Sequence, residues 1–110
     1  MELIWVETAA EDLEQIQNYI AEDNIDAAIN FTEAIFEEVE NIPLQPYRGR
    51  KIPEILKDEY RELLFRRYRI MYRINGTTIF ILAIIHSRIN FNAVKSRVLI
   101  KNKHKVHRGK

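Results

Sequence analysis

The chain has 110 residues, of which 46% are apolar and 30% charged, with three glycines, three prolines and no cysteine. This composition is typical of one soluble globular domain and excludes a disulfide framework, a cysteine zinc site and a thiol nucleophile. The longest apolar run, Ile79–Ile85, is too short to span a bilayer, and the N-terminus lacks the pattern of a signal peptide. We therefore expect a cytoplasmic protein.

Charge is divided unevenly along the chain. Residues 1–47 contain 12 Asp or Glu and no Lys or Arg, whereas residues 48–110 contain all 17 Lys and Arg and only four acids. A basic half of this kind favours a polyanion or an acidic partner. The alternative is that the two halves only attract each other across one core.

The chain begins with a short apolar alternation, Glu2–Val6, that predicts a first strand. Thr8 and Glu11 then stand at the spacing of a capping box, in which each side chain bonds a free backbone amide at a helix start. Apolar residues recur three and four positions apart downstream, as expected for one buried helix face. We predict a first helix from about Ala9 to Glu22.

A second segment with helical spacing starts near Ile25 and stops at Pro43, because proline cannot continue a helix. All three prolines and one glycine fall in Pro43–Lys57, which predicts the main irregular connection. Two consecutive amphipathic helices predict an antiparallel hairpin on one face of a sheet.

The strongest strand signals follow in three segments rich in aromatic and β-branched residues, Tyr60–Phe65, Tyr68–Ile74 and Thr78–His86. Asn75 and Gly76 between the last two predict a two-residue hairpin turn. The predicted fold class is therefore α+β in the order β-α-α-β-β-β. It has an N-terminal strand and a helical hairpin packed on a small, mainly antiparallel sheet.

These turns also predict how the strands pair. A turn at residues 75–76 places Tyr72 opposite Ile79. A turn at residues 66–67 likewise sets the pairing of Tyr60–Phe65 with Tyr68–Ile74. The face that meets the helices is then mostly apolar. We expect the opposite face to carry these polar residues among apolar ones: Tyr60, Glu62, Arg69, Arg73 and His86.

The C-terminal segment is basic. Residues 95–110 contain seven Lys or Arg and no acid. Such a segment cannot bury enough apolar surface to compensate its ordering entropy. We therefore divide the chain into one domain, residues 1–94, and a basic tail, residues 95–110, that we expect to be partly disordered.

No metal-ligand spacing, nucleophile elbow or phosphate-binding glycine loop occurs in the sequence, and we expect neither a metal nor a cofactor. A basic sheet face with candidate acids and bases remains. Such a face could bind a phosphodiester and cleave RNA without a metal, if a base takes the 2′-hydroxyl proton, an acid protonates the leaving oxygen and arginines stabilise the phosphate charge.

Six short segments resemble, in order and spacing, the toxins of the RelE/ParE superfamily of type II toxin–antitoxin systems. They cover the chain from Trp5 to Phe91 and are W-x-x-x-A-x-x-D-L-x-x-I-x-x-Y-I (Trp5–Ile20), A-A-x-x-F (Ala27–Phe31), P-Y-R-G-R-K-I-P-E (Pro46–Glu54), Y-R-E-L-L (Tyr60–Leu64), Y-R-I-M-Y-R-I (Tyr68–Ile74) and I-I-H-S-R (Ile84–Arg88).

The resemblance implies a toxin neutralised by a cognate antitoxin that covers part of the sheet or of the helix pair. Members that resemble ParE poison DNA gyrase, and members that resemble RelE cleave messenger RNA on the ribosome. The loop around Arg50 and the strand that ends at His86 are more similar to the ParE branch. A gyrase poison is therefore the first hypothesis, and a ribosome-dependent RNA endonuclease is the alternative.

In the nuclease alternative, Arg69 and Arg88 match phosphate-contacting positions of the RNA-cleaving branch, and Glu62 or His86 would transfer protons. The sequence departs from that branch because Phe91 stands where a catalytic tyrosine is expected. The lysine cluster expected before Tyr68 is also replaced.

Seven further cations are candidates for contacts with the target or with nucleic acid: Arg48, Arg50, Lys51, Arg61, Arg73, Lys95 and Arg97. Each candidate also has a structural alternative. Arg69 and Arg73 would pair with Glu62 across the sheet, and His86 would only end a strand.

Overall fold

A computed structural model of the protein describes residues 1–99 and the backbone of residues 105–106. The elements in chain order are β1 Glu2–Val6, α1 Glu7–Ala21, α2 Ile25–Glu40, β2 Arg50–Lys51, β3 Tyr60–Phe65, β4 Tyr68–Asn75, β5 Thr78–His86, α3 Lys95–Leu99 and β6 Lys105–Val106. The strands form a six-stranded sheet in the order β2-β3-β4-β5-β1-β6, in which β1 is parallel to β5 and all other neighbours are antiparallel. The predicted α+β class and the order of its principal elements are confirmed.

The two long helices start by different means. α1 begins at Glu7, immediately after β1, and its N-cap residue Val6 forms no side-chain cap. The predicted capping box is therefore wrong, because Thr8 already lies inside the helix. α2 begins conventionally, since the Asn24 side-chain oxygen accepts a hydrogen bond from the Ala27 amide at 3.0 Å.

The helical hairpin packs on one face of the sheet, called here the helix face. The rings of Trp5 and Phe36 lie 5.5 Å apart, and those of Phe31 and Tyr68 lie 5.2 Å apart with edge-to-face geometry. The most deeply buried large residues come from both layers and from the central strands: Trp5, Ile35, Ile42, Ile52, Ile70, Met71, Tyr72, Ile79, Ile81, Leu82 and Ile84. The core therefore lies on both faces of β4 and β5.

The register of β3 with β4 is as predicted, but that of β4 with β5 is not. Asn75 pairs with Thr78, so the two turn residues are Gly76 and Thr77 rather than Asn75 and Gly76. Gly76 has a φ of +60°, which is the backbone conformation that a type II′ turn requires at its first position. Among residues 75–78 only Gly76 takes the left-handed conformation, and it occupies the first turn position, so the turn is displaced by one residue from the predicted one.

A β-bulge in β5 then moves side chains to the other face. Tyr72 pairs with Ile81, yet Met71 pairs with Ala83, which leaves Leu82 as an extra residue. Beyond the bulge, Tyr68 pairs with His86, and paired residues share a face. His86 therefore lies on the helix face, and its predicted place on the opposite face is wrong.

The segments beyond the predicted elements also carry structure. β2 arises inside the proline-rich connection, and Gly49 precedes it where a Cβ atom would lie 2.6 Å from the Tyr72 hydroxyl. Residues 95–99, which the sequence assigned to the basic tail, form α3, and Val98 in it is buried. Elsewhere in this tail, which the sequence predicts to be partly disordered, residues 105–106 form β6, and residues 100–104 and 107–110 lie outside the described residues.

No helix within residues 1–99 combines the length and the apolar character needed to cross a bilayer.

Candidate functional site

A carboxylate is buried on the sheet face opposite the helices, called here the outer face. The Glu62 side chain is fully buried. Its Oε2 accepts a hydrogen bond from Arg50 Nε at 2.6 Å, and its Oε1 accepts one from Arg69 Nε at 2.7 Å. Glu62 and Arg69 are brought together because β3 and β4 pair with Glu62 opposite Met71 and Leu64 opposite Arg69.

Arg69 binds a second carboxylate, Glu54, in the connection before β3. Its two terminal nitrogens donate to the two Glu54 oxygens at 2.6 and 3.1 Å, which is the bidentate geometry that guanidinium favours. Burial opposes the charge of Arg69, but the hydrogen bonds to Glu54 and Glu62 outweigh it, so the pKa of Arg69 is raised. The hydrogen bond from Arg69 also lowers the pKa of Glu54.

These four residues form one neutral chain of ion pairs, Arg50–Glu62–Arg69–Glu54, called here the outer-face network. The Arg69 side chain is only 8% exposed, and its guanidinium lies 6.0 Å from the Phe91 ring. Arg69 therefore has its charge neutralised from two sides within the protein. Glu62, enclosed by two cations, has no open side from which it could accept a proton from a substrate.

A second set of bonds ties the connection before β3 to the outer strands. The Tyr72 hydroxyl donates to the Pro46 carbonyl at 2.6 Å and accepts from the Gly49 amide at 3.2 Å. Arg61 donates to the carbonyls of Asp58 and Gly49 at 2.8 and 3.0 Å and pairs with the Asp58 carboxylate. Arg61, a predicted binding residue, therefore holds a loop.

His86 lies in a cleft on the helix face, between α1 and the segment that follows β5. The cleft measures about 410 Å³ and is lined by Tyr19, Tyr68 and Ile89 among others. The His86 ring packs edge-on against Tyr68 at 5.3 Å, and its Nδ1 accepts a hydrogen bond from the Arg88 amide at 3.1 Å. The sheet therefore separates His86 from Glu62, and the structure does not bring these two acid–base candidates together.

An ion pair closes the other side of this cleft. Asp12 of α1 accepts hydrogen bonds from Arg97 at 2.9 and 3.0 Å and from the Ile84 amide at 2.9 Å. Arg97 also donates to the Leu82 carbonyl at 3.2 Å. Burial is the main influence on Asp12 and raises the pKa of its carboxyl group, although Ile84 and Arg97 oppose that shift. Arg97, another predicted binding residue, thus attaches α3 to β5 and α1.

Two comparisons with known proteins point to the same family. The family model described as "ParE toxin of type II toxin-antitoxin system, parDE" matches residues 3–91. The chain belongs to the ParE toxin family. A solved structure described as "Chromosomal ParDE TA system from P. aeruginosa" is similar to it, with 28% sequence identity and a TM-score of 0.66, over 78% of this chain and 95% of that chain. No curated protein matches the chain.

The remaining predicted cations of this ParE-family chain are scattered. Arg48 lies 3.7 Å from Glu38 in a partly exposed ion pair, and the Arg73 guanidinium lies 5.1 Å from the centre of the Phe80 ring. Lys51 and Lys95 are exposed on β2 and α3. Within the described residues, none of these four side chains takes part in the hydrogen bonds and ion pairs of the outer-face network.

Sequence reasoning passed over one group of cations in this ParE fold. Arg66 and Arg67 form the turn between β3 and β4, and that turn lies beside Arg88 at the end of β5. The signal that could have found them is the adjacent pair of arginines in a predicted turn. No group of three or more His, Asp or Glu side chains within residues 1–99 is placed to hold a metal ion.

Proposed function

We propose that this ParE-family chain is the toxin of a two-component system, that a cognate antitoxin neutralises it, and that its target is DNA gyrase. It acts by binding in the cytoplasm, where it traps gyrase on cleaved DNA, and it is not itself an enzyme. The family match over residues 3–91 supports the toxin role. The similar P. aeruginosa structure, described as a ParDE toxin–antitoxin system, supports the antitoxin.

The outer-face network is the observation that favours binding over RNA cleavage. Cleavage without a metal requires an arginine on the phosphate and a free base close to it. Arg69 is instead bound to Glu54 and Glu62, at distances of 2.6 to 3.1 Å. His86 lies across the sheet from both.

The first experiment uses purified chain, purified gyrase and supercoiled plasmid. We expect plasmid linearised through trapped cleavage complexes when all three are present, and intact plasmid when gyrase is omitted. The same chain is added to a ribosome translation mixture, where the messenger RNA should remain uncut. Unaffected gyrase together with codon-spaced cuts in the message would replace the proposal by the nuclease alternative.

A variant separates the two mechanisms inside cells. His86→Gln removes the ring that the nuclease alternative would use for proton transfer, and His86 lies outside the outer-face network. We expect growth arrest with broken chromosomes from both the parent chain and the variant. If the His86→Gln variant no longer arrests growth although its melting temperature equals that of the parent chain, the gyrase proposal is contradicted.

The antitoxin is tested separately. The protein encoded next to this gene is co-expressed with the chain, and growth and co-purification are measured. Restored growth with a stable complex is the expected result. Growth arrest that persists despite full expression of the neighbouring protein would show that it is not the antitoxin.

A further inference from the structure

Three arginines lie together at one end of the sheet. Arg66 and Arg67 form the β3–β4 turn, and the Arg67 carbonyl accepts a hydrogen bond from the Ser87 amide at 2.7 Å. Arg88 follows Ser87 directly, so the backbone brings all three residues to the same edge of the molecule. All three are exposed. We call Arg66, Arg67 and Arg88 the sheet-end cluster.

The three arginines of the sheet-end cluster have no carboxylate partner, unlike five of the other six arginines in the described residues; the sixth, Arg73, lies over the Phe80 ring. Five arginines elsewhere in the described residues form ion pairs: Arg48, Arg50, Arg61, Arg69 and Arg97. No described carboxylate forms an ion pair with the cluster, and residues 100–110 contain no Asp or Glu. Three neighbouring cations without counter-charges repel one another, and an external anion would relieve that repulsion.

The backbone and the rings around the cluster hold it in place. Arg66 has a φ of +55°, a left-handed conformation that is unfavourable for a residue with a Cβ atom. Its guanidinium lies 4.8 Å from the centre of the Phe65 ring and 5.7 Å from the centre of the Phe31 ring. His86 Nδ1 accepts a hydrogen bond from the Arg88 amide, and this bond orients the start of the segment after β5. The backbone positions of all three residues and the guanidinium of Arg66 are therefore set by contacts within the protein.

We propose that the sheet-end cluster binds the phosphodiester backbone of nucleic acid. Guanidinium groups present planar N–H donors that match phosphate oxygens, and consecutive phosphates match a row of separate cations. The acidic residues of the first half of the chain limit binding elsewhere on the surface, since residues 1–47 contain no Lys or Arg. The proposal concerns direct binding and does not depend on gyrase as the target.

The test measures fluorescence anisotropy of labelled duplex DNA and of single-stranded RNA of equal length, across a series of salt concentrations. The parent chain is compared with Arg67→Gln/Arg88→Gln. The matched control is Lys57→Gln, an exposed cation beside the start of β3 and away from the cluster, which is compared with the single variants Arg67→Gln and Arg88→Gln. Arg66→Asn is added as a variant that tolerates the left-handed backbone. Melting temperatures establish that every variant is folded.

We expect the cluster variant to bind roughly tenfold or more weakly, and its slope of log K against log salt to fall by about two, one for each arginine that no longer neutralises a phosphate. The control should keep most of the affinity. The comparison of duplex DNA with single-stranded RNA shows which of the two nucleic acids the cluster prefers. The proposal would be overturned by equal weakening in the cluster and control variants, or by the absence of binding at low salt. It would also be overturned if polyglutamate, an anion without phosphodiesters, bound as tightly as the nucleic acids. Because gyrase is absent, a failure here is distinguishable from a failure of the proposed target.

Discussion

Arg69 Nε donates a 2.7 Å hydrogen bond to Glu62 Oε1, inside a sheet face where the glutamate has no exposed side-chain surface. These are two of the residues that an RNA-cleaving mechanism would use separately, one on the phosphate and one in proton transfer. Joined to each other and to Arg50 and Glu54, they stabilise the connection before β3 on the sheet. Their arrangement favours a structural role, and it leaves the sheet-end cluster as the accessible group of arginines without ion pairs among the described residues.

Glu62→Gln should destabilise the fold by about 3 kcal/mol, because it leaves Arg50 and Arg69 facing a neutral group in a buried site. The free energy of unfolding by denaturant measures the effect. Glu59→Gln is the control, since Glu59 is an exposed acid on the same segment. Equal stability of the two variants would mean that the outer-face network contributes little.

Acid should weaken the contribution of Glu54. Its pKa is lowered from 4.5 by the hydrogen bond from Arg69, so its stabilising effect is complete above pH 4.5 and is lost as pH falls through the folded-state value. The stability difference between the parent chain and Glu54→Gln should therefore be largest near neutral pH and shrink on acidification. Denaturant unfolding from pH 7 to pH 3 measures it, and a constant difference would contradict the assignment.

Asp12 should show the opposite dependence. Burial raises its pKa above 3.8, so the folded state binds the proton more readily than the unfolded chain. On acidification through the raised value, the parent chain should therefore gain stability relative to Asp12→Asn. The same unfolding series measures this change, and a relative loss on acidification would show that the Arg97 pair dominates over burial.

Gly49→Ala should destabilise the protein by roughly 2 kcal/mol or more, since the new Cβ atom would lie 2.6 Å from the Tyr72 hydroxyl and 2.7 Å from the Glu62 carbonyl oxygen. Gly76→Ala meets no atom within 4 Å and should cost only about 1 kcal/mol, because of its φ of +60°. Thermal unfolding compares the two. A larger loss at Gly76 would mean that backbone conformation outweighs the close approach at Gly49.

Asn24→Ala should cost about 1 kcal/mol, because it removes the hydrogen bond to the Ala27 amide at the start of α2. Thr8→Ala should change stability by less than about 0.5 kcal/mol, because α1 has no side-chain cap. Helicity and melting temperature of both variants provide the measurement. A marked loss in Thr8→Ala would restore the capping box that the sequence predicted.

Local patterns along the chain were sufficient to predict the two long helices, the four principal strands and the fold class, but not β2, α3 or β6. The apolar spacing of α1 and α2, the β-branched runs of β3 to β5 and the prolines between them depend on neighbours a few residues away, and such patterns can be read directly. The segments that resemble RelE/ParE toxins likewise predicted the ParE family that the comparison over residues 3–91 confirms.

Which side chains meet, by contrast, depends on the tertiary structure. The bulge at Leu82 places one extra residue in β5 and so moves His86 to the helix face, although no local signal marks it. The partners of Glu62 come from β2 and β4, and the partner of Asp12 lies 85 residues away. Pairings of this kind follow from strand register and from the packing of distant segments. A shift of one residue in register moves every side chain of a strand to the opposite face of the sheet. The spacing of residues along the chain was therefore not sufficient to assemble the candidate site.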